Sequence, residues 1–178
     1  RGRFEPAIEH FLEAQLSAAR LGAERELHEL RLKVGNIHFE RGDLATAASE
    51  YERALAYGTQ SGDLDLEARA ANNVALVHSL QGRKEQAVEF FGRSLERFRA
   101  LGRDDAVAQL DQNIGQVYLE LGNWAEARNS FERCMRQCEK TGQDALLAVA
   151  CLDAAEANLK LGSLPEASRA AERALALA

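Results

Sequence analysis

Four histidines and three cysteines are the side chains in this sequence best suited to hold a metal or attack a substrate. Cys134 and Cys138 stand four apart, which stacks them on one face of a helix, but no matching histidine pair accompanies them. A zinc site is therefore not expected. With Cys151 the thiols are odd in number and cannot all pair, so they are read as free thiols of a reducing cytoplasm. His38 and His78 fall in a column that also holds Tyr118, which makes them packing residues, whereas His10 and His28 are expected on the solvent side. The string GTQSG at 58–62 approaches a nucleophile elbow, but its serine comes one place late and sits at a helix end. That motif needs a strand-to-helix turn. No phosphate-cradling glycine loop, His-Glu-x-x-His or Cys-x-x-Cys occurs. The expectation is a chain that is no enzyme and holds no cofactor and no metal.

The elements that carry these residues are helical by composition. Leu, Ala, Glu, Arg and Gln dominate and only Pro6 and Pro165 interrupt. Hydrophobic residues make up 46% and charged ones 28% of 178 residues, which fits one globular domain. A formal charge of −6 gives no electrostatic footprint for nucleic acid or for an anionic membrane surface. No run of about 18 apolar residues is present to span a bilayer. A cytoplasmic protein is expected, and the start at Arg1 suggests a piece of a longer chain.

A glycine ruler organises the sequence. Gly2, Gly22, Gly42, Gly62, Gly82, Gly102, Gly122, Gly142 and Gly162 lie twenty residues apart without a slip. Between them apolar residues recur with helical spacing, so each interval predicts a helix of roughly 17 residues ended by glycine. Asp43, Asn123 and Ser163 follow grid glycines and are expected to cap the next helix. Glu126 and Glu166, three residues on, complete capping boxes with the last two. Acidic and basic residues alternate on helix faces, as in Glu50–Arg53 and Glu132–Arg136, and predict solvated surface pairs.

Alternate helices differ, so the period is forty residues. Gly35, Ala75, Gly115 and Ala155 are small at one position of the first helix of each pair. Ala7, Ala47, Ala87, Ala127 and Ala167 recur on the second helix, followed four residues later by Phe11, Tyr51, Phe91 and Phe131, with Ala171 the exception. Ala14, Ala54, Ser94, Cys134 and Ala174 form a third small column. Trp124, in the column of Phe4, Leu44 and Leu164, is read as core. The last pair is weak: Ala154, Asn158 and Ala171 stand where larger side chains stand elsewhere.

This small–small–aromatic–small order resembles the tetratricopeptide repeat, across the whole chain. The family's usual Trp early in the first helix is replaced by Arg31, Ala71, Asp111 and Cys151, and the usual Pro ending the second helix is missing. Both departures resemble the forty-residue subclass found in Pins-type adaptors, kinesin light chains and bacterial regulators. The expected fold is all-α, an α-α superhelix: a right-handed solenoid of antiparallel helix pairs. The expected organisation is a single domain, 1–178, with an orphan second helix at 1–22 and helix pairs at 23–62, 63–102, 103–142 and 143–178.

The resemblance also implies a concave groove lined by the first helices. Its expected peptide-binding residues are Asn36, Arg69, Asn72, Asn73, Leu76, Gln109, Gln112, Asn113 and Gln116, with Leu32, Leu80, Val149, Leu152 and Leu159 at equivalent positions. Asn73 and Asn113 match an asparagine column of kinesin light chains and Pins-type adaptors. A primary amide donates and accepts, so such a ladder suits a peptide backbone. A carboxylate clamp is not supported, because Leu32 stands where it needs lysine.

The function expected is protein or peptide binding, as an adaptor or sensor domain of a larger bacterial regulatory protein. The alternatives are a self-assembling structural scaffold, or the non-catalytic arm of a multidomain enzyme such as a kinase or cyclase. Self-association is expected through open ends, where Phe4, Ile8 and Phe11 lose their partner helix.

Overall fold

The computed structural model describes residues 5–177. Among them are nine α-helices and no strand: α1 Glu5–Leu21, α2 Glu24–Glu40, α3 Leu44–Ser61, α4 Leu64–Leu80, α5 Lys84–Ala100, α6 Asp104–Glu120, α7 Trp124–Thr141, α8 Asp144–Lys160 and α9 Leu164–Ala176. Gly2 and Phe4 lie outside the described residues. Packing divides the chain into two compact units, Arg1–Phe90 and Phe91–Ala178.

All eight grid glycines from Gly22 to Gly162 have positive φ, between 67° and 80°. A residue with a Cβ resists that backbone, which is why glycine holds the grid. In seven of these turns the amide after the glycine donates to the carbonyl five residues back, at 2.9–3.1 Å, as Asp43 does to His38 and Asn123 to Tyr118. These are Schellman closures. The same residue then stands at the N-cap of the next helix. Asp43 accepts there from the Thr46 amide at 3.2 Å, and Asp63 from Leu66 at 3.0 Å. Asn123 and Ser163 occupy N-cap positions but make no side-chain cap bond, so the two expected capping boxes do not form.

In the first unit, Leu32, Tyr51, Leu55, Leu66, Val74 and Val77 pack around Ala47, Ala54, Ala70 and Ala71. In the second, Ala127, Phe131, Ala154 and Ala157 form one buried cluster, and Cys134, Cys138, Leu147, Ala150 and Cys151 belong to another. Complete burial of a Leu or Phe side chain contributes about 1.5–3 kcal/mol. The small columns are what allow it. A Cβ on Gly35 would lie 2.5 Å from the Tyr51 ring, and one on Gly115 would lie 2.4 Å from Phe131. Hence the aromatic of the second helix rests on bare backbone of the first.

Several sequence expectations are corrected. Trp124 is 39% exposed and Leu164 is 64% exposed, whereas Leu44 of the same column packs partly buried on the core of the first unit. His28 is not solvent-facing; its ring stacks on Tyr57 with centroids 4.4 Å apart. Burial lowers its pKa. Glu132 pairs with Arg128 rather than Arg136. Ile8 and Phe11 are half-buried, and Lys33 Nζ sits over the Phe11 ring, while Leu12, Leu16 and Leu21 are exposed large apolar residues of α1. The packing histidine His78 stacks on Phe90 with 12° between planes, as its column predicts. The three thiols are free and buried, and burial pushes the Cys134 thiol upward.

Gly58 lies off the grid. A Cβ there would meet the Glu67 backbone amide nitrogen at 2.7 Å, so α3 and α4 touch main chain to main chain. Gly92, also helical, has nothing within 4 Å. Gly58→Ala is expected to destabilise by about 1–3 kcal/mol through overpacking. Gly92→Ala should stabilise by roughly 0.5–1 kcal/mol through helix propensity. Urea unfolding of both variants measures the contrast; equal effects would refute the close approach.

Candidate functional site

The first helices α2 and α4 touch in the first unit, and α6 and α8 touch in the second. Each contact brings amide and charged side chains together.

On the α2–α4 face, Asn36 is the hub. Its Oδ1 accepts from the Tyr51 hydroxyl at 2.8 Å and from Asn73 Nδ2 at 3.1 Å, and Asn72 Nδ2 donates to Asn73 Oδ1 at 3.1 Å. Burial raises the Tyr51 phenol further, which keeps it a donor. Arg69 grips Glu29 with both guanidinium nitrogens at 2.9 Å and also reaches Asp65 at 3.2 Å. Leu76 is half-buried, and Leu80 is 64% exposed. Leu32, expected beside them, is buried in the core of the unit and faces no groove.

On the α6–α8 face, Gln112 and Gln116 both donate to the same oxygen of Asp153, and Gln109 donates to Asn113 at 3.2 Å. Gln112 is only 4% exposed, with its Oε1 buried and unpartnered, which leaves almost no surface for a ligand. Burial pushes the Asp153 carboxyl above its ordinary range, against the lowering effect of the two amide donors. Beside this network α8 exposes three large apolar residues, Val149 (47%), Leu152 (55%) and Leu159 (56%). The amides are therefore hydrogen-bonded within and between helices, yet Asn36 and Gln109 are exposed and Asn73, Asn113 and Gln116 are only partly buried. Each retains amide groups beyond the bonds it makes.

Sequence reasoning missed Asp153, the acceptor that gathers both glutamines. It also missed what replaces tryptophan: Arg31 pairs with Glu50 at 2.9 Å, and Asp111 with Arg133 at 2.8 Å. The opposite signs of Arg31 and Asp111 within one column were the available signal. Among the described residues, no group of three or more His, Cys, Asp or Glu is placed to hold a metal ion. No described helix is long and apolar enough to cross a membrane.

The tetratricopeptide repeat family profile matches residues 26–100 and 104–178. No curated protein sequence gives a significant match. Among solved structures, BtubC (BKLC) from P. vanneervenii superposes with a TM-score of 0.93 at 23% identity, covering 99% of this chain and 73% of that one. A Rap protein in complex with competence and sporulation factor gives 0.78 at 20% identity, over 98% of this chain and 49% of that. A STAND signal-transduction ATPase with a tetratricopeptide repeat sensor, from Pyrococcus horikoshii, gives 0.87 at 18%, over 99% and 27%.

Asp153 offers a test of the α6–α8 network. Its folded-state pKa lies above the unfolded value, so ionisation opposes folding as pH rises through the folded value. Below the unfolded value both states are protonated and the penalty is gone. Asp153→Asn is expected to raise the urea midpoint over the parent near pH 7, with the gain shrinking as pH falls toward about 4. A gain that is constant with pH would contradict the buried carboxylate.

Proposed function

The chain belongs to the tetratricopeptide repeat family, and from that premise we propose that it is a protein- or peptide-binding module, an adaptor or sensor domain of a larger bacterial regulatory protein. The observation that carries this reading is the α8 surface. Val149, Leu152 and Leu159 stay exposed beside a hydrogen-bonded amide face, instead of joining the core. Exposed apolar groups rimmed by polar ones mark interaction surfaces. Repeat proteins of this type bind through extended faces built from successive repeats.

In this reading the contact residues are Asn36, Arg69, Asn73 and Leu76 on the α2–α4 face and Gln109, Asn113 and Gln116 on the α6–α8 face. Asn72 and Gln112 hold those faces in place from behind. Open amides meet the backbone of an extended or helical peptide, and the leucines take its apolar side chains. The similar Rap structure contains a bound competence and sporulation factor, and the similar STAND protein is described as using its repeats as a sensor. Both support a ligand-binding role for this fold.

A self-associating scaffold is the second reading, favoured by Leu12 and Leu16 on α1 and by Leu175 on α9, all exposed. Light scattering over a dilution series separates it, since a constant monomer mass at high concentration excludes it.

The binding test begins with selection of peptides from a random display library on the immobilised chain. Calorimetry then compares the parent, Asn73→Ala/Asn113→Ala and Leu152→Asp. The double alanine variant is expected to bind about tenfold or more weakly, at roughly 0.5–1.5 kcal/mol for each lost hydrogen bond. Leu152→Asp should weaken binding further. Neutral amides carry little field, so affinity should change only slightly between low and physiological salt. Circular dichroism checks that helicity is retained. Selected peptides indifferent to all three substitutions would place the contact elsewhere.

A further inference from the structure

The second unit also carries a concentration of positive charge that the proposed peptide face does not use. On α7, Arg133, Arg136, Gln137 and Lys140 fall at i, i+3, i+4 and i+7, so they share one face. Arg99 from the end of α5 and Asp111 from α6 complete the walls of an open cavity of about 240 Å³. Asp111 is buried at its base. Its Oδ1 accepts from Arg133 Nε at 2.8 Å, while its Oδ2 lies 3.8 Å from Arg99 and makes no hydrogen bond. Arg136 also bears on the same carboxylate electrostatically.

Counting the cluster gives four cations against one carboxylate. Asp104, which accepts from Gln137 at 3.5 Å, adds a second carboxylate nearby. An excess of two positive charges therefore remains at one cavity of a chain whose net charge is −6. Among the described residues Arg136 forms no ion pair, and neither does Lys140. Part of the excess is accommodated by the negative end of the α7 dipole, which favours cations in its last turn. That effect acts along a helix end. It does not explain why Arg99, from another helix, faces the same cavity.

We infer that this cavity binds a phosphoryl group carried on a side chain of a partner protein. Guanidinium forks match phosphate oxygens in pairs, and a group of charge near −2 balances the excess that the two carboxylates leave. The cavity is larger than a phosphoryl group alone requires, and the aliphatic stems of its arginines and lysine provide wall for the side chain that delivers it. The site lies among α5, α6 and α7, so it stands or falls independently of the α6–α8 amide face.

The test titrates the isotope-labelled chain, by NMR, with the N-acetyl amides of phosphoserine and phosphotyrosine, their unphosphorylated counterparts, and inorganic phosphate. At least one phosphorylated amide is expected to bind tenfold or more tightly than inorganic phosphate, with shifts centred on Arg99, Arg136 and Lys140. Binding should weaken steeply with salt. Arg136→Gln/Lys140→Gln, which leaves the Asp111–Arg133 pair intact, should weaken it at least tenfold with an unchanged urea midpoint. Lys33→Gln/Lys160→Gln alters net charge equally elsewhere and should change affinity by less than twofold. Three results would overturn the assignment: no phosphorylated probe bound at millimolar concentration, inorganic phosphate bound as tightly, or both double variants weakened alike.

Discussion

A left-handed glycine followed by a residue that serves two helices is the constraint on which this structure depends. The amide of that residue closes the outgoing helix in seven of the turns, and its position opens the incoming one. No slack remains in the connection, so helix length is set by the spacing of glycines. Helices of 17 or 18 residues then follow from α1 to α8, and position n of one pair lies where position n of the next will lie. The columns of small and aromatic residues act only because this register holds. An insertion of one residue between glycines would turn every following side chain on that helix by about 100°.

Within that register two kinds of contact share the interior. The second-helix aromatic lies against glycine in the first and third pairs, where a methyl group would already collide. At the neighbouring column the tryptophan usual in this family is gone. Arg31 reaches Glu50 and Asp111 reaches Arg133 in its place. Such pairs are poor sources of net stability, since desolvation offsets much of their attraction. Burial in fact holds the Asp111 carboxyl above its ordinary range despite the guanidiniums around it. The apolar columns hold the fold; the charged column restricts what can pack there.

What could be read from sequence follows the same division. The ruler, the alanine column and the aromatics were legible because each is periodic and local. The structure finds Ala47, Ala87 and Ala127 fully buried and Phe131 beside them in depth. Non-periodic pairings were hidden. Nothing in the spacing links Gln112 and Gln116 to Asp153, some forty residues on, and an amide expected to face a ligand is instead buried against the next first helix. Leu32 was misplaced for a related reason: its column holds a buried leucine, a half-buried asparagine, a buried glutamine and an exposed leucine in turn. A column that lies at the edge of a packed stripe has no fixed environment, so residue type there follows local neighbours. The caps failed differently. Asn123 and Ser163 have the right chemistry and stand at the N-cap, yet their side chains make no cap bond, although Asp43, with the same backbone closure, does.

A chain built of near-copies faces a hazard in folding, because any first helix can in principle dock on any second helix. Exchange of equivalent elements is a characteristic failure of repeat proteins. The charged column bears on it directly. If α2 docked on α7, Arg31 would meet Arg133 in place of Asp111; α6 on α3 would meet no such conflict, because Arg53 stands there where Arg133 stands on α7. That misassembled pair would set like charges against each other, whereas the cognate pairs set opposite ones. Ala71 and Cys151 carry no charge at the same position, so the address is written only on the first and third pairs. A contact that adds little to the stability of the native fold thus weighs against one wrong pairing among helices that are otherwise alike.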